Sequence, residues 1–125
     1  MSPEEKVTRE FVSTFNRSEL NSFVGTLDPE VEIHSVRGLR RGRDEAMAWA
    51  TKKPGGVQQT VVIEAVEQQE DRVLLEIQRQ WHWEEDGALA ATEPMAWLFT
   101  LRDGLVASWR PFEDREEARE AFAAG

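Results

Sequence analysis

Arg79 is a charged residue in an otherwise apolar row, because every second residue from Val73 to Trp83 is apolar apart from it. A guanidinium group buried without a partner costs roughly several kcal/mol, so Arg79 needs a carboxylate, a carbonyl oxygen or an anionic ligand. Glu93 and Glu113 fall in the inward rows of the strands that follow and are the carboxylates available to it. The pattern is compatible with two interpretations. Arg79 either forms an Arg–Glu pair that braces a sheet, or it holds or polarises a ligand oxygen.

His34 is the side chain best suited to proton transfer near neutral pH, because imidazole titrates in that range. It lies at the end of the first predicted strand, and it would need Glu113 or Glu93 beside it to act in acid–base catalysis. His34 and Glu113 are therefore the candidate catalytic residues, and a structural or solvated His34 is the alternative. The other histidine, His82, alternates to the outer face of its strand. Two separated histidines and no cysteine give no metal-ligand spacing, so we expect no metal and no cofactor.

The sequence has five tryptophans and no tyrosine. Trp49 lies in a predicted helix, and the others lie in segments that alternate like β-strands. Large rings on one face of a curved sheet either line an apolar cavity or fill a core, and the indoles offer only N–H donors. We expect a ligand pocket with Arg79 as its polar anchor. Its predicted walls are Phe11, Trp49, Trp81, Met95, Trp97 and Trp109.

Composition limits the class of protein and its partners. A chain of 125 residues has the usual size of one domain, so we predict a single domain over residues 1–125. The net charge of −9 repels phosphate backbones, and we expect no nucleic-acid partner. No apolar run is long enough to span a bilayer, residues 1–6 are mostly polar or charged, and cysteine is absent. We therefore expect no membrane association, no secretory signal and a cytoplasmic location.

Helical spacing is typical of the first part of the chain, up to residue 56. The predicted elements are a helix starting at residues 2–5 (SPEE), a second helix capped by Ser18 and ended by Asp28-Pro29, a strand over 31–36, and a third helix over 43–53 stopped by residues 54–56 (PGG). Between the strand and the third helix lie Arg37, Arg40, Arg41 and Arg43, which we interpret as a solvated loop rather than an anion site.

From residue 57 onward the apolar period changes to two. The predicted strands span residues 57–70, 72–84, 88–102 and 105–112. Asp86-Gly87 and Asp103-Gly104 are hairpin signals, so these strands form an antiparallel meander. Asp114 then caps a final helix that turns Ala118, Ala121 and Phe122 inward. The architecture is α+β: helices first, then a long curved sheet with the helices on one face.

Several segments, spread over nearly the whole chain, are similar to segments of one superfamily. They are residues 27–34 (LDPEVEIH) followed by 41–43 (RGR), residues 99–104 (FTLRDG) and residues 109–114 (WRPFED). With the order of helices and strands, they resemble the nuclear-transport-factor-2-like superfamily in its SnoaL-like branch. The resemblance implies a cystatin-like α+β cone, in which a curved antiparallel sheet wraps around the N-terminal helices and a pocket lies between them.

The resemblance also allows known chemistries of that superfamily to be tested on this chain. Positions that carry the functional groups of ketosteroid isomerases are occupied here by Phe11, Ile33 and Trp97. For an epoxide-hydrolase-like site, Arg79 matches the arginine, but Trp81 and Pro111 stand where that site has acids. Dehydratases of the scytalone type rely on tyrosines, which this chain lacks.

The leading hypothesis is a small-molecule-binding domain for an apolar or aromatic ligand. One alternative is a cofactor-independent acid–base enzyme of the isomerase, cyclase or hydrolase type, working through His34. Another is a non-catalytic dimerisation scaffold in which every tryptophan is core. Members of the superfamily often dimerise through the convex sheet face, so we expect a homodimer. The residues of that face are Leu74, Gln78, Gln80, His82, Ala96, Leu98 and Thr100.

Overall fold

A computed structural model describes residues 2–51 and 55–124 of the chain. Four helices are described: α1 (Pro3–Arg17), α2 (Leu20–Val24), α3 (Arg43–Thr51) and α4 (Arg115–Ala124). Six strands are described: β1 (Leu27–Ser35), β2 (Gly38–Arg41), β3 (Val57–Gln69), β4 (Arg72–Trp83), β5 (Leu89–Arg102) and β6 (Leu105–Phe112). None of these helices combines the length and apolar character needed to cross a bilayer.

The strands form one curved, unclosed sheet in the order β2-β1-β6-β5-β4-β3. Strands β3 to β6 make the predicted antiparallel meander, with bounds within a residue or two of those expected from alternation. Asp103 and Gly104 both have positive φ, of 54° and 77°, as an Asp-Gly hairpin turn requires. Strand β1 joins the far side of β6 in parallel, and β2 extends the sheet by pairing with β1.

Helices α1, α2 and α3 fill the concave side of the sheet, which confirms the α+β cone. Ser2 accepts a hydrogen bond from the backbone N–H of Glu5, at 3.1 Å, and so caps α1 as its sequence predicts. Phe11 of α1, Phe23 of α2 and Ala46 of α3 are fully buried against the inward rows of the sheet. These rows come from all four meander strands and from β1.

Helix α4 lies on the opposite, convex side, so the expectation that all helices share one face of the sheet is wrong. Asp114 caps it, and Ala118 and Phe122 turn inward as predicted. They cover three apolar residues of the convex face, Leu74, Ala96 and Leu98, all of which are buried. Three of the seven residues expected at a dimer interface are therefore core, because α4 folds back over them.

The first part of the chain departs from its predicted elements in three places. Ser18 does not start α2 but ends α1, in the left-handed conformation at φ 55°. Asp28-Pro29 does not end a helix but lies within β1, which begins at Leu27. The arginine-rich segment is not a loop throughout, because β2 forms there and pairs with β1. Of the predicted stop at residues 54–56, Pro54 lies outside the described residues.

One inward row is broken by a bulge. Leu101 pairs with Val106 and Thr100 pairs with Ser108, which leaves Ala107 as the extra residue in β6. The inward residues of β6 are therefore Val106 and Trp109, both buried, and the prediction that Ala107 faces inward is wrong. The bulge was expected four residues later, near Pro111.

The free edge of the meander lies against α1. Asn16 of α1 donates to the carbonyl oxygen of Val61 in β3 and accepts from its N–H, both at 2.8 Å. One side-chain amide thus satisfies both backbone groups of an edge-strand residue, as a neighbouring strand would do. This contact fixes α1, and with it Phe11, relative to the concave face.

Candidate functional site

Aromatic residues from three helices and two strands meet on the concave side of the sheet. We call them the aromatic cluster; its members are Phe11, Phe15, Phe23, Trp49, Trp97, Phe99 and Trp109. Trp109 has its ring centroid 4.5 Å from that of Trp49 and 5.2 Å from that of Trp97. These separations are those of favourable aromatic pairs. The rings contact one another, and only Phe15 and Trp49 are partly exposed.

The cluster contains one buried polar atom without a partner. Trp109 is 4% exposed, and its Nε1 is buried without a hydrogen bond to any residue that the structure describes. Its strand position explains the burial, because Trp109 pairs with Phe99 of β5 on one side and with Ile33 of β1 on the other. Sequence reasoning placed Trp109 in the site but could not foresee that its N–H lacks an acceptor.

Arg79 lies two inward-facing pairs beyond Trp97, a member of the aromatic cluster. Ile77 pairs with Met95 across β4 and β5, and the next pair on the same face is Arg79 with Glu93. Arg79 forms an ion pair with Glu93, with its Nε 2.7 Å from the carboxylate Oε1. The guanidinium also lies over the ring of Trp81, 5.3 Å from the centroid. The geometry therefore gives Arg79 the carboxylate partner that the bracing interpretation requires.

Glu93 joins the two predicted site residues of β4. It accepts a hydrogen bond from Trp81 Nε1 at 3.2 Å as well as those of Arg79. The Trp81 hydrogen bond lowers the pKa of Glu93, partial burial opposes it, and the guanidinium of Arg79 lowers it further. Glu93 is thus an ionised acceptor at neutral pH, suited to holding Arg79 and Trp81 in place.

Neither of the two candidate catalytic residues belongs to the cluster. His34 alternates with Ile33 in β1, so it faces away from the core, and its Nε2 is 3.8 Å from Glu32. Glu113 follows the end of β6 and is exposed. Among residues 2–51 and 55–124, no group of three or more His, Asp or Glu side chains is arranged to hold a metal ion.

Two of the clefts at the surface are not lined by any ring of the aromatic cluster. A cleft of about 350 Å³ lies between α1 and β3, beside Asn16 and Val61. A second, of about 420 Å³, lies near Glu32, Arg41 and Arg102. Their arginines already pair with carboxylates of neighbouring segments, which makes these clefts polar surface features.

Two of the segments that resemble the superfamily are connected to each other by hydrogen bonds. Arg102 donates to both carboxylate oxygens of Asp28, at 2.9 and 3.2 Å, and the Glu30 N–H donates to the same carboxylate at 2.8 Å. These hydrogen bonds, the one from Arg102 first, lower the pKa of the buried Asp28. The segments 27–34 and 99–104 therefore join β1 to the end of β5 rather than form a reaction centre.

Sequence reasoning missed Phe15, Phe23 and Phe99 as members of the cluster. The signal for Phe15 was present, because it follows Phe11 by four residues on one helix face. Phe15 lies 5.6 Å from Trp49 and 5.9 Å from Trp97, measured between ring centroids. It therefore connects two predicted wall residues that lie on different elements.

Sequence comparison gives one family match. A family model described as a SnoaL-like domain matches residues 8–109, which is most of the chain. The match runs from Thr8, within α1, to Trp109 and includes every member of the aromatic cluster. Among curated proteins, no sequence matches this chain.

Solved structures show the same fold at low identity. An LEH-like epoxide hydrolase from M. tuberculosis gives a TM-score of 0.76 at 16% identity, over 98% of this chain and 91% of the other. A putative polyketide cyclase from Xanthomonas campestris pv. campestris gives 0.77 at 16%, over 97% and 95%. A Delta 5-3-ketosteroid isomerase from Mycobacterium sp. gives 0.75 at 13%, over 93% and 96%. At these identities the similarity establishes the fold alone.

Proposed function

Because the chain belongs to the SnoaL-like domain family, we propose that it is a small-molecule-binding domain for a largely apolar, cyclic or aromatic compound. The observation that supports this proposal is the aromatic cluster, which lies between the helices and the concave face of the sheet. The names of the three similar structures refer to epoxides, polyketides and ketosteroids. Aromatic walls suit such compounds, because they bury large apolar area at low conformational cost.

The ligand site would lie where the cluster reaches the surface. Phe15 and Trp49 are its two partly exposed members, while Phe11, Trp97 and Trp109 are buried behind them. A ligand ring would replace contacts between Phe15 or Trp49 and the buried rings. Met95 would contribute to the wall, and Arg79 with Trp81 would lie at its rim.

The proposal is for binding rather than catalysis. The rings offer apolar surface and indole N–H donors, but no acid or base. His34 and Glu113, the residues of the acid–base alternative, lie outside the cluster. The scaffold alternative, in which the rings serve only as core, is the hypothesis that the experiment must separate from binding.

The test combines native mass spectrometry with ligand titration. We expect gently purified protein to carry extra mass that denaturation releases, and 1-tetralone to quench tryptophan fluorescence in a saturable manner. Phe15→Ala should change the affinity for 1-tetralone by several-fold. Phe112→Ala is the matched control, because Phe112 is a partly buried ring that packs with α4 on the opposite face.

Two results would contradict binding. One is a protein that carries no extra mass and does not bind 1-tetralone up to its solubility limit. The other is an equal change of affinity in Phe15→Ala and Phe112→Ala, which would reflect a general loss of stability. Either result favours the scaffold alternative.

We also propose that the protein forms a homodimer through the part of the convex face that α4 leaves uncovered. Val62, Gln78, Gln80 and Thr92 share this part, and Val62 is 45% exposed. Thr92 donates to Gln78 at 3.1 Å, so the polar side chains are already ordered. A mixed polar and apolar surface of this kind is typical of an interface rim around a small apolar centre.

A further inference from the structure

The indole N–H of Trp109 is an exception in the hydrogen bonding of the interior. Three buried threonines donate to carbonyl oxygens of their own helices or turns, and the buried Asp28 accepts from Arg102 and Glu30. Among residues 2–51 and 55–124, Trp109 Nε1 is the only buried side-chain donor or acceptor without a hydrogen-bond partner. A donor left unsatisfied in this way costs roughly 1–3 kcal/mol.

The ring that carries this N–H lies beside the proposed ligand site. Trp109 contacts Trp49, a partly exposed ring, at a centroid distance of 4.5 Å, and the buried Trp97 at 5.2 Å. The donor therefore belongs to a ring one contact away from the surface of the cluster. Displacement of Trp49 by a ligand ring would bring that ring against Trp109.

We propose that Trp109 Nε1 is the polar recognition group of the site, and that its ligand is a neutral ring compound with one hydrogen-bond acceptor, such as a ketone, ether or epoxide oxygen. The inference rests on the proposed function, since it assigns a chemical class to the ligand of the same site. An indole N–H donates and never accepts. It therefore favours an acceptor oxygen over a hydrocarbon of the same shape.

The polar groups at the rim of the cluster are already engaged. Trp81 donates to Glu93, and the charge of Arg79 is compensated by the same carboxylate. An anionic ligand would have to displace Glu93 to reach Arg79, and it would bring a net charge among apolar rings. A neutral acceptor meets neither cost, and it satisfies the buried donor that lacks a partner among the described residues.

The experiment compares two probes of the same ring skeleton, 1-tetralone and tetralin, which differ by a carbonyl group in place of a methylene. Titrations use the native protein, Trp109→Phe and Trp97→Phe. Trp97→Phe is the matched control, because it shortens the neighbouring buried indole by the same atoms. We expect the native protein and the control to bind 1-tetralone about tenfold more tightly than tetralin. In Trp109→Phe we expect the ratio of the affinities for 1-tetralone and tetralin to fall to about one.

Nuclear magnetic resonance of the native protein gives a second measurement that needs no variant to fold. In a spectrum of ¹⁵N-labelled protein, the Trp109 indole proton can be assigned through its proximity to the rings of Trp49 and Trp97. We expect 1-tetralone to move this resonance downfield, as a new hydrogen bond does, and tetralin to leave it without a downfield shift.

The outcomes separate failure of the inference from failure of the proposed function. If both probes bind but the ratio is the same in Trp109→Phe as in the native protein, or the indole proton does not move downfield with 1-tetralone, Trp109 is not the recognition group. If neither probe binds the native protein, the binding function itself is wrong and this inference fails with it.

Discussion

The two indoles Trp81 and Trp109 show how differently one side-chain type can be used on one sheet. Trp81 lies at the rim, where its N–H donates to Glu93 and its ring lies beneath the guanidinium of Arg79. Trp109 is buried, and its N–H has no acceptor among the described residues. The rim indole therefore adds a hydrogen bond to an ion pair, whereas the buried one carries the donor that we propose for the ligand.

At this scale we predict the consequence of removing Arg79. Arg79→Met keeps most of the apolar stem and removes the ion pair with Glu93. Because that pair is partly exposed, we expect the free energy of unfolding to fall by about 1 kcal/mol or less at pH 7. We expect the affinity for 1-tetralone to change less than twofold. Denaturant unfolding and fluorescence titration measure the two effects.

The same substitution should have a pH-dependent effect. The pKa of Glu93 is lowered in the folded protein, first by Trp81 and then by Arg79. Its ionised form therefore stabilises the fold above the unfolded-state pKa of about 4.3, and this contribution is lost as the pH falls through the folded-state pKa. The decrease in the free energy of unfolding caused by Arg79→Met should therefore become smaller below about pH 4. A large loss of affinity with unchanged stability would instead identify Arg79 as a ligand anchor.

At the scale of elements, α4 depends on one arginine near its start. Arg115 donates to the carbonyl oxygens of Ile77, at 2.7 Å, and Met95, at 3.2 Å, and it forms ion pairs with Glu64 and Glu76. It thus connects α4 to strands β3, β4 and β5. The same helix buries Leu74 and Leu98 under Phe122.

We predict that Arg115→Ala destabilises the protein by about 2 kcal/mol, because it leaves two strand carbonyl groups without their donor. The control is Arg119→Ala, since Arg119 is 53% exposed and pairs only with Glu76. We expect little change in that variant. Thermal and denaturant unfolding measure both. Equal effects of the two substitutions would mean that the strand carbonyl groups are not what Arg115 stabilises.

The success of sequence reasoning differs between the two parts of the chain for a physical reason. Long segments in which apolar and polar residues alternate, separated by Asp-Gly turns, specify a meander through local sequence alone. The bounds of β3 to β6 are close to those predicted in this way. Strand β2 was missed because four residues rich in arginine carry no apolar period, and only pairing with β1 makes them a strand. The inward position of Ala107 was wrongly predicted because a bulge in β6 depends on its register with β5.

The candidate site was predictable only in part. Alternation and helical spacing identified the rings that would share the concave side. The sequence left Glu93 and Glu113 as possible partners of Arg79. The register of β4 with β5 places Glu93 opposite Arg79. The missing partner of Trp109 Nε1 depends on every element packed around it, so no local pattern could indicate it.

At the scale of the whole molecule, α4 restricts where a second copy can bind. It covers Leu74, Ala96 and Leu98, so only the part around Val62 and Gln78 remains for the proposed dimer interface. We predict that Val62→Glu lowers the dimer fraction at micromolar concentration, measured by sedimentation, because it places a charge at the centre of that surface. Val36→Glu is the control, since Val36 is fully exposed at the β1–β2 turn. A native protein that sediments as a monomer would contradict the dimer.

The contact between Asn16 and Val61 has a consequence for how this protein behaves in a crowded solution. An open sheet offers its edge strand as a template on which a strand of another molecule can add, which is how many β-rich proteins aggregate. At Val61 the template is already occupied, because the amide of Asn16 holds both backbone groups. The helix that packs inside the cone thus also blocks strand addition at this position of the β3 edge.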